Sequence, residues 1–310
     1  MKTGGHSLSS QIIDAMNNLG FKTRIVSVDR IQDLKREIRH AHSRGMFDER
    51  FYRERLLKYH FEVSETLPGV RSIIIVTVFQ PILKVVFTRY GQAVEVIIPP
   101  TYRTDTDQQV FDQIVRILHP KGYRLMKAVL PEKLLLVRSG LAKYGKNNIT
   151  YVDGMGSFHR PVAFVADAPL EADEWIQPQT LSECTRCKAC LKKCPTGAIS
   201  DDRFLLYAER CLTFYNERDA QFPSWMNPSW HHCLIGCMEC QMICPVNKPY
   251  IECIEKATDF TEEETNLFLM NVPREKLDEE TIQKLRMIGM LDDYHLISRN
   301  LGVLLNPDSV

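Results

Sequence analysis

The sequence predicts an α+β protein in three consecutive parts: a mixed α/β domain over residues 1–175, a cysteine-rich module over 176–253, and a short helical tail over 254–310. Three observations predict this. All ten cysteines of the 310-residue chain fall between Cys184 and Cys253. The stretch before them switches between helical and strand-like apolar patterns. The stretch after them contains two acidic helix starts, Thr261-Glu-Glu-Glu and Asp278-Glu-Glu-Thr.

The elements follow in order. Ser10–Leu19 reads as a short helix stopped by Gly20, and Thr23–Val28 as a β-rich strand. Arg30–Arg44 puts Ile31, Leu34, Ile38 and Ala41 on one helical face, and Asp48–Tyr59 continues as a second helix. Arg71–Phe79, with Ile73-Ile74-Ile75-Val76 apolar on successive residues, reads as a strand buried on both faces. Val85–Thr88 and Ala93–Ile98 flank Tyr90-Gly91-Gln92, which predicts a hairpin. Asp105–Leu118 is a helix with an acidic start. Tyr123–Val129 and Val162–Val165 are further strands, and Pro131–Lys143 between them is helical with proline in its first turn.

Composition narrows the function. Lys plus Arg equals Asp plus Glu at 39 each, so no global charge favours nucleic acid or a membrane surface. No apolar stretch approaches the length of a bilayer span, and Met1–Ser10 lacks the apolar core of a secretory signal. The expected setting is cytoplasmic, where cysteines stay reduced and disulfides do not explain the cysteine block.

Two cysteine runs carry the chemistry. The first is Cys184-Thr-Arg-Cys187-Lys-Ala-Cys190-Leu-Lys-Lys-Cys194-Pro195; the second is Cys237-Met-Glu-Cys240-Gln-Met-Ile-Cys244-Pro245. The spacing C-x2-C-x2-C-x3-C-P is that of two-cluster ferredoxins, in which the fourth cysteine of a run ligates the other cluster. With that crossover, Cys184, Cys187, Cys190 and Cys244 hold one [4Fe-4S] cluster. Cys194, Cys237 and Cys240 hold three corners of the other. The second run lacks its own first cysteine, whose regular position is Leu234. Cys211 and Cys233 both stand open as the missing ligand, and Cys233 is one residue out of register. Paired C-x2-C motifs also hold zinc, but with four ligands per ion they account less well for this arrangement. Cys253 has no partner pattern and reads as a small buried hydrophobe. Arg218–His232, with Phe222, Trp225 and Trp230, reads as an aromatic cover over a cluster. His231 and His232 read as surface or cap residues.

The wider context resembles epoxyqueuosine reductase and, more distantly, the reductive dehalogenases. The resemblance rests on Leu67-Pro68-Gly69-Val70-Arg71-Ser72 before an apolar strand, on Ser139-Gly140-Leu141-Ala142-Lys143-Tyr144-Gly145-Lys146-Asn147, and on Gly156-Ser157 with Asp167. It continues in Cys194-Pro195-Thr196-Gly197-Ala198-Ile199, Arg210-Cys211-Leu212 and Cys244-Pro245-Val246-Asn247, with a fainter trace in Arg299–Leu305. It implies a nitroreductase-like α/β domain that carries cobalamin, followed by a ferredoxin-like module. It also implies that Cys211 is the fourth ligand beside Cys194, Cys237 and Cys240.

The implied activity is reduction. Electrons come from an external donor of ferredoxin or flavodoxin type and pass through two [4Fe-4S] clusters to cobalt, where the hard chemistry belongs to the cofactor. Tyr90, Lys146 and Asp167 are the candidate cobalamin contacts; their plainer roles are hairpin residue, loop charge and turn cap. The family's acidic proton donor falls at Met126, whose thioether cannot donate a proton, while the neighbouring Glu132-Lys133 pair matches. The implied substrate is therefore not tRNA. A second reading is an electron-transfer protein that reduces a corrinoid or corrinoid protein without substrate chemistry of its own.

Overall fold

The computed structural model describes residues 7–305. In chain order the elements begin with helix α1 (Leu8–Asn18), strand β1 (Lys22–Ser27), helices α2 (Arg30–Ser43), α3 (Glu49–Arg55) and α4 (Val63–Thr66), and strands β2 (Ser72–Phe79), β3 (Ile82–Arg89) and β4 (Gln92–Ile98). Then come α5 (Asp105–Leu118), β5 (Leu125–Lys127), α6 (Glu132–Arg138), β6 (Lys143–Tyr144), β7 (Thr150–Tyr151) and β8 (His159–Ala166). The cysteine region holds only short helices, α7 (Ala189–Lys193), α8 (Leu212–Asn216) and α9 (Glu239–Met242). The chain ends in β9 (Ile254–Phe260), α10 (Glu262–Leu269), α11 (Glu279–Met287) and α12 (Tyr294–Leu305).

These elements form two compact units that interleave along the sequence. One runs up to Phe79 and resumes over Thr106–Arg186; the other comprises Gln80–Asp105 and the chain from Cys187 onward. This differs from the linear division at 175/176 and 253/254, because the hairpin β3–β4 belongs with the cysteine region and the C-terminal helices.

The first unit is built on an antiparallel sheet of order β1-β2-β8-β5. Strand β2 is central and buried on both faces, as its apolar run Ile73–Val76 requires. Its side chains alternate between two cores. Ile73 and Ile75 join Leu34, Leu136 and Val165 on one face. Ile74, Val76 and Val78 join Ile12, Met16, Val110 and Ile114 on the other. Helix α1 starts where the Ser7 hydroxyl accepts the Ser10 N–H at 3.2 Å. Helix α6 is shorter than its sequence pattern suggests, because the chain turns at Gly140 with φ +73°.

The second unit contains the sheet β4-β3-β9. Tyr90 and Gly91 close the β3–β4 hairpin with φ of 51° and 69°, the pattern of a two-residue type I′ turn. The Glu262 carboxylate accepts both turn amides, at 2.8 and 3.1 Å. Strand β9 pairs parallel to β3, with a register shift at Lys84/Val85. The tail is therefore not helical throughout, as its sequence suggested: it opens with a strand. Ile254–Phe260 carries Glu255, Lys256 and Asp259 and buries only Phe260, so it shows no strand alternation. Phe260 stacks on Phe87 at 5.0 Å and meets Phe268 of α10 edge-on at 5.0 Å. Among the described residues no helix is long and apolar enough to cross a membrane.

Candidate metal centre

The two cysteine runs fold alike. Cys190 lies in α7 and Cys194 ends it, its amide donating to the Cys190 carbonyl at 3.1 Å. Cys240 lies in α9, and Cys244 leads into a 3-10 turn over Pro245–Asn247. Helices α7 and α9 pack together, and Lys193 Nζ reaches Glu239 Oε2 at 2.8 Å. Each proline ends its run where it can donate no amide to a continuing helix. Gly197 turns the chain after Cys194 with φ +63°. Cys211 sits between a 3-10 turn (Ala208–Arg210) and α8, whose first amides point back at its sulfur.

All ten cysteines are free thiols. Five of them, Cys190, Cys194, Cys211, Cys237 and Cys240, are electrostatic neighbours. Burial pushes the Cys240 thiol well above its usual value, and Cys237, Cys211, Cys190 and Cys194 push it further. Burial raises Cys237 to about 12; Cys211 and Cys194 add to this, against the amide of Glu239. Cys211 is raised by burial and by Cys194, against the amides of Thr213 and Phe214. As thiolates they need a cationic core in their midst, and the amides aimed at their sulfurs suit cluster ligands. Thiolates with amides set against their charge are the donor chemistry a [4Fe-4S] cluster takes, although the described side chains are not gathered at metal-ligand distances.

Cys233 is placed differently. It is fully buried, and Cys237 is the one thiol that bears on it. Its backbone is pinned to the end of β4 by a bridge to Ile97 and the Leu234 N–H donated to the Ile97 carbonyl at 2.9 Å. In the first unit, Cys184 ends a 3-10 turn and its Sγ accepts the Lys146 N–H at 3.4 Å. Cys187 and Cys244 are half-buried. Cys253 is also half-buried rather than a core residue, and its carbonyl accepts the Ile82 N–H.

His232 is half-buried and has defined partners. Its Nδ1 lies 2.9 Å from the Trp230 carbonyl, and its Nε2 lies 3.4 Å from the Met238 amide and 3.9 Å from Cys237 Sγ. His231 packs at a tilt against Phe222 at 4.5 Å and is pushed down to about 4 by burial, with Arg299 and His232 adding to it. Trp225 covers Tyr215 edge-on at 5.6 Å with half its own surface open.

The three candidate cobalamin contacts have local partners. Tyr90 forms the hairpin turn, is exposed, and carries the Arg89 guanidinium over its ring at 4.9 Å. Asp167 accepts from the Arg124 amide and Nε, both at 2.8 Å; these bonds outweigh burial and hold its carboxyl below the usual range. Lys146 contributes its backbone amide to Cys184. These contacts give no geometric support to a corrinoid site at the three residues, and no chemical step is derived through one. Met126 lies half-buried in β5 opposite Val165. Near it, buried Asp107 binds Arg160 at 2.6 and 2.7 Å and Lys127 at 2.5 Å. Burial of the Glu132 carboxyl outweighs the pull of the same Arg160 and Lys127 and raises it to about 7.

Comparison with known proteins agrees with this geometry. The 4Fe-4S double cluster binding domain matches residues 183–247, which include the eight cysteines of the proposed ligand set. Epoxyqueuosine reductase of Pseudomonas aeruginosa is 31% identical over 144 residues, which are 46% of this chain and 39% of that protein. The Escherichia coli enzyme is 31% identical over 122 residues, 39% of this chain and 31% of its own length. The chain thus aligns with less than half the length of these relatives. In structure, epoxyqueuosine reductase from Bacillus subtilis matches 96% of this chain and 81% of its own with a TM-score of 0.68 at 20% identity. The enzyme from Streptococcus thermophilus matches 96% and 80% with a TM-score of 0.61 at 18%. The chain is thus similar to epoxyqueuosine reductases over part of its sequence, carries the double-cluster domain match over residues 183–247, and shares the mixed α/β fold of those enzymes.

Proposed function

We propose that the chain is an iron–sulfur oxidoreductase that takes electrons from a ferredoxin- or flavodoxin-type donor and passes them through two [4Fe-4S] clusters to a corrinoid. Cys184, Cys187, Cys190 and Cys244 hold one cluster; Cys194, Cys211, Cys237 and Cys240 hold the other. The observation that carries the reading is that Cys194, Cys211, Cys237 and Cys240 lie close enough in the fold to raise one another's thiols, with the amides of Thr213, Phe214 and Glu239 set against that rise. Cobalamin, when bound, supplies a strongly reducing metal centre. The chain's own part is to hold the clusters, exclude water and orient the acceptor. The substrate we propose is a small molecule rather than tRNA, since Met126 takes the place of the acidic donor.

A second reading places the corrinoid on a partner protein. It is favoured by the prior engagement of Asp167 with Arg124 and by the hairpin role of Tyr90. One experiment separates the two. Anaerobically purified protein with about eight iron and about eight sulfide per chain is titrated with cobalamin. A saturable change in absorbance and in the cobalt EPR signal supports a resident cofactor. No binding at high cofactor concentration ends that reading and leaves the partner protein. Iron near four per chain would sink the two-cluster assignment itself.

A further inference from the structure

Cys211 and Cys237 stand on different limbs of the chain. One limb is α8 with Glu217 and Arg218; the other is the turn over 233–238. The segment between them carries the half-open Trp225 and a short 3-10 turn over Pro228–Trp230, and a long connection alone sets the ends of two limbs poorly. One direct tie joins them: Asn216, fully buried, donates Nδ2–H to the Gly236 carbonyl at 2.7 Å.

Two residues from elsewhere in this unit complete the junction. Asn300 of α12 is 1% exposed, and its single amide nitrogen donates to the Asn216 carbonyl and to the Leu234 carbonyl, both at 2.9 Å. One side chain thus bridges both limbs. Its orientation is fixed from behind, because Arg299 donates to Asn300 Oδ1 through Nε at 3.0 Å and Nη2 at 2.8 Å. Arg299 also binds the carbonyls of Tyr215 and Arg218 at 3.0 and 2.6 Å. Tyr102, in the loop after β4, donates its hydroxyl to Glu217 Oε1 at 2.6 Å. The tip of its ring lies over Gly236: a Cβ there would stand 3.0 Å from Tyr102 Cζ and closer still to the hydroxyl. Tyr102 therefore touches the Cys211 limb with its oxygen and the Cys237 limb with its ring.

We propose that Tyr102 and Asn300 are positioning residues for the second cluster, holding the Cys211 limb against the Cys237 limb so that the four sulfurs meet one cluster. The inference rests on the assignment of Cys211 as a ligand. Outer-shell partners of metal ligands act in this way, and their loss typically costs ten- to a hundredfold in affinity. Neither residue touches a ligand sulfur by a bond of its own, so the effect passes through the limbs.

The test uses the full chain, reconstituted without oxygen, with Tyr102→Phe and Asn300→Ser. Tyr294→Phe serves as a control: it breaks the bond to the Val272 carbonyl, also at 2.7 Å, in the same unit. Iron release to a ferrous chelator and the two midpoint potentials by EPR are the readouts. The expected result is biphasic release, with about half the iron lost roughly tenfold faster and the rest unchanged. One midpoint potential moves and the other stays. Tyr102→Phe keeps the ring and carries the test if Asn300→Ser does not fold. Unchanged release and potentials in Tyr102→Phe, or equal acceleration of both halves as in a general loosening, would overturn the proposal. Cys211→Ala run in parallel keeps the two ideas apart. If it retains about eight iron, the ligand assignment fails. If it loses half while Tyr102→Phe is silent, only the positioning role fails.

Discussion

The backbone N–H of Lys146 donates to Cys184 Sγ across 3.4 Å, within the first unit of the chain. The turn that presents this amide is tight: a Cβ on Gly145 would lie 2.5 Å from Tyr151 Cε2 and 2.6 Å from Asn147 Oδ1. An amide donor stabilises the more negative, reduced state of a cluster and so raises its potential. Gly145→Ala must push the turn open and lengthen this bond. We expect one of the two midpoint potentials to fall while the iron content stays constant. Potentiometric EPR checks it; two unchanged potentials would show that the amide has no influence on a cluster.

The course of Ile73–Phe79 and the hairpin around Tyr90-Gly91 were legible because apolar runs and a two-residue turn are local signals. The partner of that hairpin was not. Strand β9 lies on an edge with one buried side chain, so Glu255, Lys256 and Asp259 hide its period. The interleaving of the two units follows from that pairing and was hidden with it. The cysteine runs were legible because cluster geometry fixes their spacing. His232 beside Cys237, and Tyr102 and Asn300 behind the limbs, were not legible. Their contacts are made over long stretches of chain, and no short motif announces them.

Cys211 and Cys233 are both enclosed thiols, but Cys211 shares electrostatic influence with Cys194, Cys237 and Cys240, whereas Cys237 is the thiol that bears on Cys233. Cys211→Ala is expected to lose about four iron per chain, and Cys233→Ala to keep about eight. Iron and acid-labile sulfide assays on anaerobic protein decide it. The reverse outcome would transfer the ligand role to Cys233.

Glu264 gathers the C-terminal helices. It is buried and closes a capping box with Thr261, accepting the Thr261 N–H at 2.8 Å. It also accepts Thr281 Oγ1 at 2.9 Å and Lys284 Nζ at 2.9 and 3.0 Å. Its removal strands a half-buried lysine and a buried hydroxyl. Glu264→Ala is expected to cost about 3–5 kcal/mol in urea unfolding. Glu280 meets the same Lys284 at 3.2 Å from an exposed position, and Glu280→Ala should cost less than about 1 kcal/mol. Equal losses would mean that the buried network adds nothing beyond a surface pair.

Two buried groups of the first unit should tilt its stability with pH in opposite directions. His159 is enclosed, with Nδ1 2.7 Å from Thr77 Oγ1 and Nε2 3.0 Å from the Thr150 carbonyl, and burial pushes it down to about 4. A histidine depressed on folding binds its proton more readily when unfolded. Its contribution is present above the ordinary value of 6.5 and is lost as pH falls toward 4. Glu132 is raised to about 7, chiefly by burial, and the charges around it are Arg160, Asp107, Lys127 and, through Tyr59, Arg55. A carboxyl raised on folding stabilises the protein below its ordinary value of 4.5, and that stability is lost as pH climbs through 7. Between about pH 5.5 and about pH 7.5 each group shifts stability by about 1–2 kcal/mol, with opposite signs. The native chain should therefore show a shallow profile in urea unfolding over this range. Glu132→Gln leaves the histidine, and stability should fall toward acid. His159→Gln leaves the carboxyl, and stability should fall toward alkali. Parallel profiles for the two variants would show that these groups titrate alike in the folded and unfolded chain.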